Sequence, residues 1–203
     1  MPDRDWFAAL IDSRVPVSLV AEQVDALYRH FETLMRWNKK LNLTSIREPE
    51  EVVIRHYCEC LLFGAALPAE SGASVVDVGS GAGFPGVPIA VLRPDCQVTL
   101  LESRQRKGVF LGESTRALVN VSVLVARAEA VEDTFEWVVS RAVRGETVVS
   151  LIPKLAANIG LMISDADFEL VRSEGSVVWG RSERIPWSEH QLCVYGRSVP
   201  RGT

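Results

Sequence analysis

Over the first 70 residues, apolar positions recur at helical spacing. Val20, Val24, Leu27, Phe31, Leu34 and Met35 stand three or four apart, which predicts an amphipathic helix over 17–37, with Pro16 and Ser18 as start signals. "EPEEVVIRHYCECLLFGAAL" predicts another helix, with Pro49 near its first turn and acids at its positive end. A shorter helix is predicted near 5–13, and "LPAESGA" at 67–73 marks a joint in the chain. The predicted organisation is a helical extension over 1–70 and a second domain over 71–203.

After Gly72 the pattern changes. Short β-branched runs at 74–78, 97–102, 121–126 and 135–143 predict strands, separated by helix-compatible stretches at 86–93 and 104–118. The runs lack polar alternation, so both faces of each strand should be covered, as in a parallel sheet of the α/β class. A helix around 145–157 and a strand near 159–163 continue the alternation, and runs at 175–180 and 190–196 predict a closing antiparallel pair.

Composition narrows the class. At 203 residues, with 47% hydrophobic and 24% charged, the chain buries a full core and is not disordered. No apolar run is long enough to span a membrane, and "MPDRDWFAALIDSR" is too charged for a secretory leader. Cys58, Cys60, Cys96 and Cys193 have neither disulfide-framework nor zinc spacing, so reduced thiols, a cytoplasmic setting and no metal are expected. A net charge of −4 argues against a broad nucleic-acid-coating surface. Local basic patches are available at 36–40, 104–107, 141–144 and 181–184.

The stretch "VVDVGSGAGFPGVP" at 75–88 carries the chemistry. It joins a predicted strand to a predicted helix, and its glycines let the main chain approach a ligand closely. Gly81-x-Gly83-x-x-Gly86 fits the dinucleotide fingerprint. The same run also reads as an acid, Asp77, two residues ahead of Gly79-x-Gly81-x-Gly83. A carboxylate there would repel a pyrophosphate and suit an ammonium group, as in S-adenosylmethionine. Glu102, ending the next strand, is placed to accept from ribose hydroxyls, as it would be for a nicotinamide dinucleotide too. Asp77 tips the balance to a methyltransferase.

Four blocks, "RWNKKLNLTSIREPEEVVIRHYCEC", "VVDVGSGAGFPGVPIAVLRP", "LLESRQRKGVFL" and "VVSRAV", together resemble the ribosomal RNA small-subunit methyltransferase G family, also called glucose-inhibited division protein B. The resemblance implies a Rossmann-like class I methyltransferase with a seven-stranded sheet and a small helical N-terminal extension. It implies S-adenosylmethionine as cofactor and N7 of a guanine in small-subunit (16S) ribosomal RNA as acceptor. The −4 charge leaves little to grip naked RNA, so RNA presented within an assembling ribonucleoprotein is expected, and a monomeric enzyme. It adds Gly79, Phe84, Ala128, Glu129 and Arg141 to Asp77, Gly81, Gly83 and Glu102 as cofactor-pocket positions. Asn42, Arg55 and His56 lie in its motifs ahead of the sheet and are expected to shape the RNA-facing side, with Arg127 or Arg141 reaching phosphate or the guanine edge. As residues alone, Phe84 and His56 also read as core, Glu129 as a helix cap and the arginines as ion-pair partners. Guanine N7 already carries a lone pair, so no residue is assigned as a general base. A paralogue with another acceptor, or a non-catalytic cofactor-binding module, would share these motifs.

Overall fold

In the first strand, β1 (Ser74–Val78), successive side chains point to opposite faces, yet Val75, Val76, Asp77 and Val78 are all buried. Both faces of the sheet are therefore covered. The structure, a computed structural model, describes residues 1–199 apart from Ala142 and Glu174. Helices α1 (Arg4–Asp12), α2 (Ala21–Leu41), α3 (Pro49–Val52) and α4 (Glu59–Ala66) precede β1, with a π-helical turn, Val53–Cys58, joining α3 to α4. Then come α5 (Gly86–Leu92), β2 (Gln97–Leu101), α6 (Gln105–Ser114), β3 (Val121–Leu124), β4 (Phe135–Arg141) and α7 (Gly145–Leu155). The chain ends with β5 (Ala156–Ser164), α8 (Asp165–Arg172), β6 (Val177–Arg184) and β7 (Gln191–Ser198).

The seven strands lie in the order β3-β2-β1-β4-β5-β7-β6. The first five are parallel, and β7 runs antiparallel between β5 and β6. This is the seven-stranded α/β sheet expected from sequence, parallel but for the antiparallel β7. Strand order reverses between β1 and β4, which opens a crevice at the carboxyl ends of the strands there.

One face of the sheet, through Val75, Val98, Leu100 and Val139, packs on α1, α2, α4, α5 and α6; Phe7, Phe31, Tyr57, Phe63 and Phe110 are fully buried there. The other face, through Val76, Val138, Ile159 and Leu161, takes Val148, Ile152 and Leu155 of α7 and Phe168 and Val171 of α8. The helical N-terminal part thus shares one core with the strands.

Several boundaries differ from the sequence expectation. Helix α2 starts at Ala21, not 17, because Val17 and Leu19 pack as extended chain and Gln23 reaches back to the Val20 N–H at 3.0 Å. It runs on to Leu41, so "RWNKK" lies within it, with Lys39 and Lys40 on its last turn. The run 135–143 forms strand only to Arg141, and Ala142 lies outside the described residues. Helix α8 was not expected at all; Ser164 caps it by accepting from the Asp167 N–H at 3.1 Å.

Candidate active site

The loop after β1 turns sharply because three of its residues take backbone angles that favour glycine: Gly79 at φ 74°, Gly81 at 59° and Gly83 at 89°. The N–H groups of Gly79 and Ser80 both donate to Leu101 O, at 2.9 and 3.1 Å, tying the loop to the end of β2. At Gly79 the need is also spatial, since a Cβ there would come within 2.5 Å of Val143 Cγ2.

Both acids beside this loop are buried. Asp77 is fully buried, and its Oδ2 accepts from the Gly86 N–H at 3.0 Å, at the start of α5. Its Oδ1 has no hydrogen-bond partner among the described residues. Burial raises the carboxyl to about 7, against the opposing bond from Gly86. The sequence placed this acid beside the turn, ready for an ammonium group; the structure places it beneath the turn, as the turn's anchor. The reason is strand alternation: Asp77 shares a face with Val75, and α5 covers that face. Glu102, also buried, accepts from the Gly81 N–H at 3.1 Å and from the Arg104 N–H at 2.8 Å, so it braces the loop from the other side.

Two cavities meet at the loop. One, about 190 Å³, is lined by Val78, Gly79, Leu101, Arg127, Ala128 and Glu129. The other, about 370 Å³, is lined by residues including Thr44, His56, Gly79, Gly81, Phe84 and Arg141. Gly79 belongs to both and forms the waist of a two-lobed cleft. A larger cavity of about 720 Å³ between α2 and α6 touches none of the loop residues. Of the residues expected from sequence to share a site, Gly79, Gly81, Phe84, His56, Arg127, Ala128, Glu129 and Arg141 line the two lobes, with Arg127 in the smaller one; Asp77 and Glu102 support the loop, and Asn42, Arg55 and Gly83 line neither lobe. Phe84 stacks on His56, with centroids 4.8 Å apart, and stands edge-on to Tyr57, so it is a wall of the cleft and part of the core at once.

Arg141, at the end of β4, is held on three sides. It donates to Glu59 Oε2 at 2.9 Å, to His56 Nδ1 at 3.3 Å and to Cys60 Sγ at 3.6 Å. Glu59 also meets Arg55 Nε at 3.2 Å, so one buried carboxylate lies between two guanidinium groups. Burial pushes the Glu59 carboxyl up, against the pull of Arg141 and Arg55. Burial, with Arg141 beside it, lowers His56 to about 3 and keeps its imidazole neutral. Sequence reasoning assigned Glu59 no role, although Arg55 and Glu59 stand at i and i+4.

Asn42 has a conformational role, since at φ 41° it is the left-handed residue that ends α2. It is exposed and lines a separate cavity of about 400 Å³ with Lys40, Arg104, Arg106 and Lys107. Asn38, to which sequence reasoning gave no role, clamps the segment after α2: its Nδ2 donates to Thr44 O and its Oδ1 accepts from the Thr44 N–H, both at 3.0 Å. His30, also unassigned from sequence, is fully buried below the loop, edge-on to Phe84 and 2.7 Å from the Tyr57 hydroxyl.

This geometry has counterparts among known proteins. Residues 23–164 match the family described as rRNA small subunit methyltransferase G. The chain belongs to the rRNA small subunit methyltransferase G family. A curated member from Nitrosomonas europaea is 44% identical over 137 residues, which are 65% of this chain and 63% of that relative's length. Another family member, from Lactococcus lactis, is 35% identical over 182 residues, covering 83% of this chain and 74% of the relative. Among solved structures, a SAM dependent methyltransferase from Aquifex aeolicus superposes with a TM-score of 0.60 at 16% identity, over 78% of this chain and 97% of that one. The family match begins inside α2 and ends at the last residue of β5, so it takes in every residue of the cleft.

Proposed function

We propose that this chain is an S-adenosylmethionine-dependent methyltransferase acting on guanine N7 in small-subunit ribosomal RNA. The carrying observation is the two-lobed cleft pinched at Gly79, at the reversal of strand order, in a chain of this family. The residues fit the cofactor. The smaller lobe, floored by Val78 and Leu101 and walled by Ala128 and Glu129, suits a flat nucleobase. At Gly79 a Cβ would press on Val143, a wall of the smaller lobe, at 2.5 Å. Glu102 retains acceptor capacity beyond its two backbone bonds, for hydroxyl groups of a sugar. Asp77 acts through the loop rather than on the ligand.

When bound, S-adenosylmethionine supplies an electrophilic methyl group to guanine N7, a ring nitrogen with a lone pair and no proton to lose. The chain therefore has to hold and orient, and needs no base. Neutral His56 and tethered Arg141 wall the larger lobe at fixed positions, with Phe84 stacked on His56 as its apolar part.

Lys40, Arg104, Arg106 and Lys107 make no ion pair among the described residues, and Lys107 lines both their cavity and the larger lobe. They are this reading's contacts to RNA phosphates. With a net charge of −4, the chain has little else to grip naked RNA, which supports a substrate presented in an assembling ribonucleoprotein. A cytoplasmic setting and a monomeric enzyme complete this reading. Among the described residues, no helix is long and apolar enough to cross a membrane. A helical extension over 1–70 and a methyltransferase domain over 71–203 belong to the same reading.

Two measurements test it. Calorimetry with S-adenosylhomocysteine should give one site per chain. Radiolabelled methyl transfer into small subunits lacking the modification, followed by nucleoside mapping, should yield 7-methylguanosine. Binding without transfer would leave only the cofactor half of the proposal; absence of binding would remove both halves.

A further inference from the structure

Resting on that reading, we infer that Thr44 reads the acceptor base: its hydroxyl is a fixed hydrogen-bond donor in the larger lobe, matched to a purine with a carbonyl at position 6 and mismatched to one with an amino group there.

Proton positions can be traced outward from Arg141. A guanidinium group only donates, so His56 Nδ1, 3.3 Å from Arg141 Nη1, must accept. The imidazole is neutral, since burial and Arg141 hold it at about 3. Its one proton is therefore on Nε2, which lies 2.8 Å from Thr44 Oγ1 and donates to it. Thr44 Oγ1 accepts a second bond from the Ile46 N–H at 3.1 Å. Both lone pairs are then in use, and the hydroxyl proton has no acceptor among the described residues. Thr44 is half-buried and lines the lobe shared by Gly79, Phe84 and Arg141. Its main chain is clamped at N and O by Asn38, so the donor does not wander.

A donor held in this lobe without an acceptor is a demand on whatever enters. On its N7 edge guanine offers two acceptors, N7 and O6, whereas adenine places an N6 amino donor next to N7. A hydroxyl that bonds O6 leaves the N7 lone pair free for methylation. The same hydroxyl opposes the adenine amino group donor to donor. Thr44 is thus a specificity residue that touches substrate, while His56, Arg141 and Asn38 are positioning residues that act through it.

The test uses small subunits reconstituted with RNA carrying guanine or 2-aminopurine at the methylated position; 2-aminopurine keeps N7 and lacks O6. On guanine, Thr44→Val, which keeps the shape and loses the hydroxyl, should lower kcat/KM about 10- to 100-fold, and Thr44→Ser should stay within about threefold of the unaltered protein. Affinity for S-adenosylhomocysteine should not change in either variant. On 2-aminopurine, Thr44→Val and the unaltered protein should transfer alike. Equal losses on both bases would show that Thr44 is merely structural and overturn the inference. Should Thr44→Val fail to fold, the unaltered protein alone decides: equal transfer to guanine and 2-aminopurine overturns the inference, and a preference of tenfold or more supports it. If the unaltered protein methylates no small-subunit RNA, the functional reading fails and this inference goes with it.

Discussion

The carboxylate of Asp77 accepts the main-chain N–H of Gly86 at 3.0 Å, with no part of its side chain open to solvent. One end of the glycine loop is thereby fastened to the strand that launches it. At Gly86 there is no room for more: a Cβ would lie 2.8 Å from Asp77 Oδ2 and 2.3 Å from Leu100 Cδ2. An acid so placed is easier to keep neutral than charged, which accounts for its rise to about 7 from the ordinary 3.8.

That rise sets a sign. The folded state holds the proton over a range in which the unfolded chain has released it, so Asp77 favours folding most below about pH 4, and this contribution is lost as pH climbs to about 7. Asp77→Asn keeps an acceptor for Gly86 and cannot ionise. Its stability relative to the unaltered protein should therefore rise between pH 4 and pH 8, by on the order of 2 kcal/mol. Urea midpoints of the two proteins at pH 4, 6 and 8 give the difference, from which the opposite slopes of His30 and His56 cancel. A difference independent of pH would contradict the burial argument.

Gly79 and Gly72 form a matched pair for testing the cleft. Both have positive φ, 74° and 81°, so Ala at either costs roughly 1–2 kcal/mol of backbone strain. Only at Gly79 does the added methyl meet a neighbour, 2.5 Å away, while nothing stands within 4 Å at Gly72. Both variants should be destabilised by similar backbone terms. Affinity for S-adenosylhomocysteine should fall at least about tenfold in Gly79→Ala and stay unchanged in Gly72→Ala. Equal affinities by calorimetry would detach the waist from cofactor binding.

The same residues show what could be read before folding. The alternation of short β-branched runs with helical stretches disclosed β1 to β5, and the crowding of glycine disclosed the loop. The direction of Asp77 is legible too, since strand alternation puts it on one face with Val75, the face that α5 covers. Helix α8 escaped because Phe168 and Val171 are its only buried positions, too few for a periodicity; its signal was the Ser164 cap. Arg55 and Glu59 were legible as a helical pair, whereas Arg141, 82 residues from Glu59, joins them only through the β1–β4 crossover.

The Glu59–Arg141 contact should be expensive to break from one side. Glu59 is 1% exposed in its side chain and Arg141 15%, so Arg141→Ala leaves a buried carboxylate with only the more exposed Arg55. The loss should be about 3 kcal/mol at pH 8. Burial already holds Glu59 above its ordinary range, and losing a cation drives it higher, so the variant should recover relative to the unaltered protein as pH falls toward 4. Adding Glu59→Gln to Arg141→Ala should restore much of the stability at pH 8. Denaturant titrations of both variants at the two pH values decide this; additive losses in the double variant would mean that the pair is not coupled.

Lys40 and Arg106 come from the end of α2 and the start of α6, yet line one cavity, and neither makes an ion pair among the described residues. A cation that neutralises a phosphate releases counterions, and for single-stranded nucleic acid each such contact steepens the log–log dependence of affinity on salt by about 0.7. The variant Lys40→Ala/Arg106→Ala should therefore bind the RNA substrate more weakly at about 50 mM salt, with a slope shallower by about 1.4. Neither residue lines the lobes around Gly79, so affinity for S-adenosylhomocysteine should hold. Substrate titrations across a salt series, run beside calorimetry, separate the two effects. An unchanged slope would show that these cations serve solubility alone and that RNA phosphates lie elsewhere on the molecule.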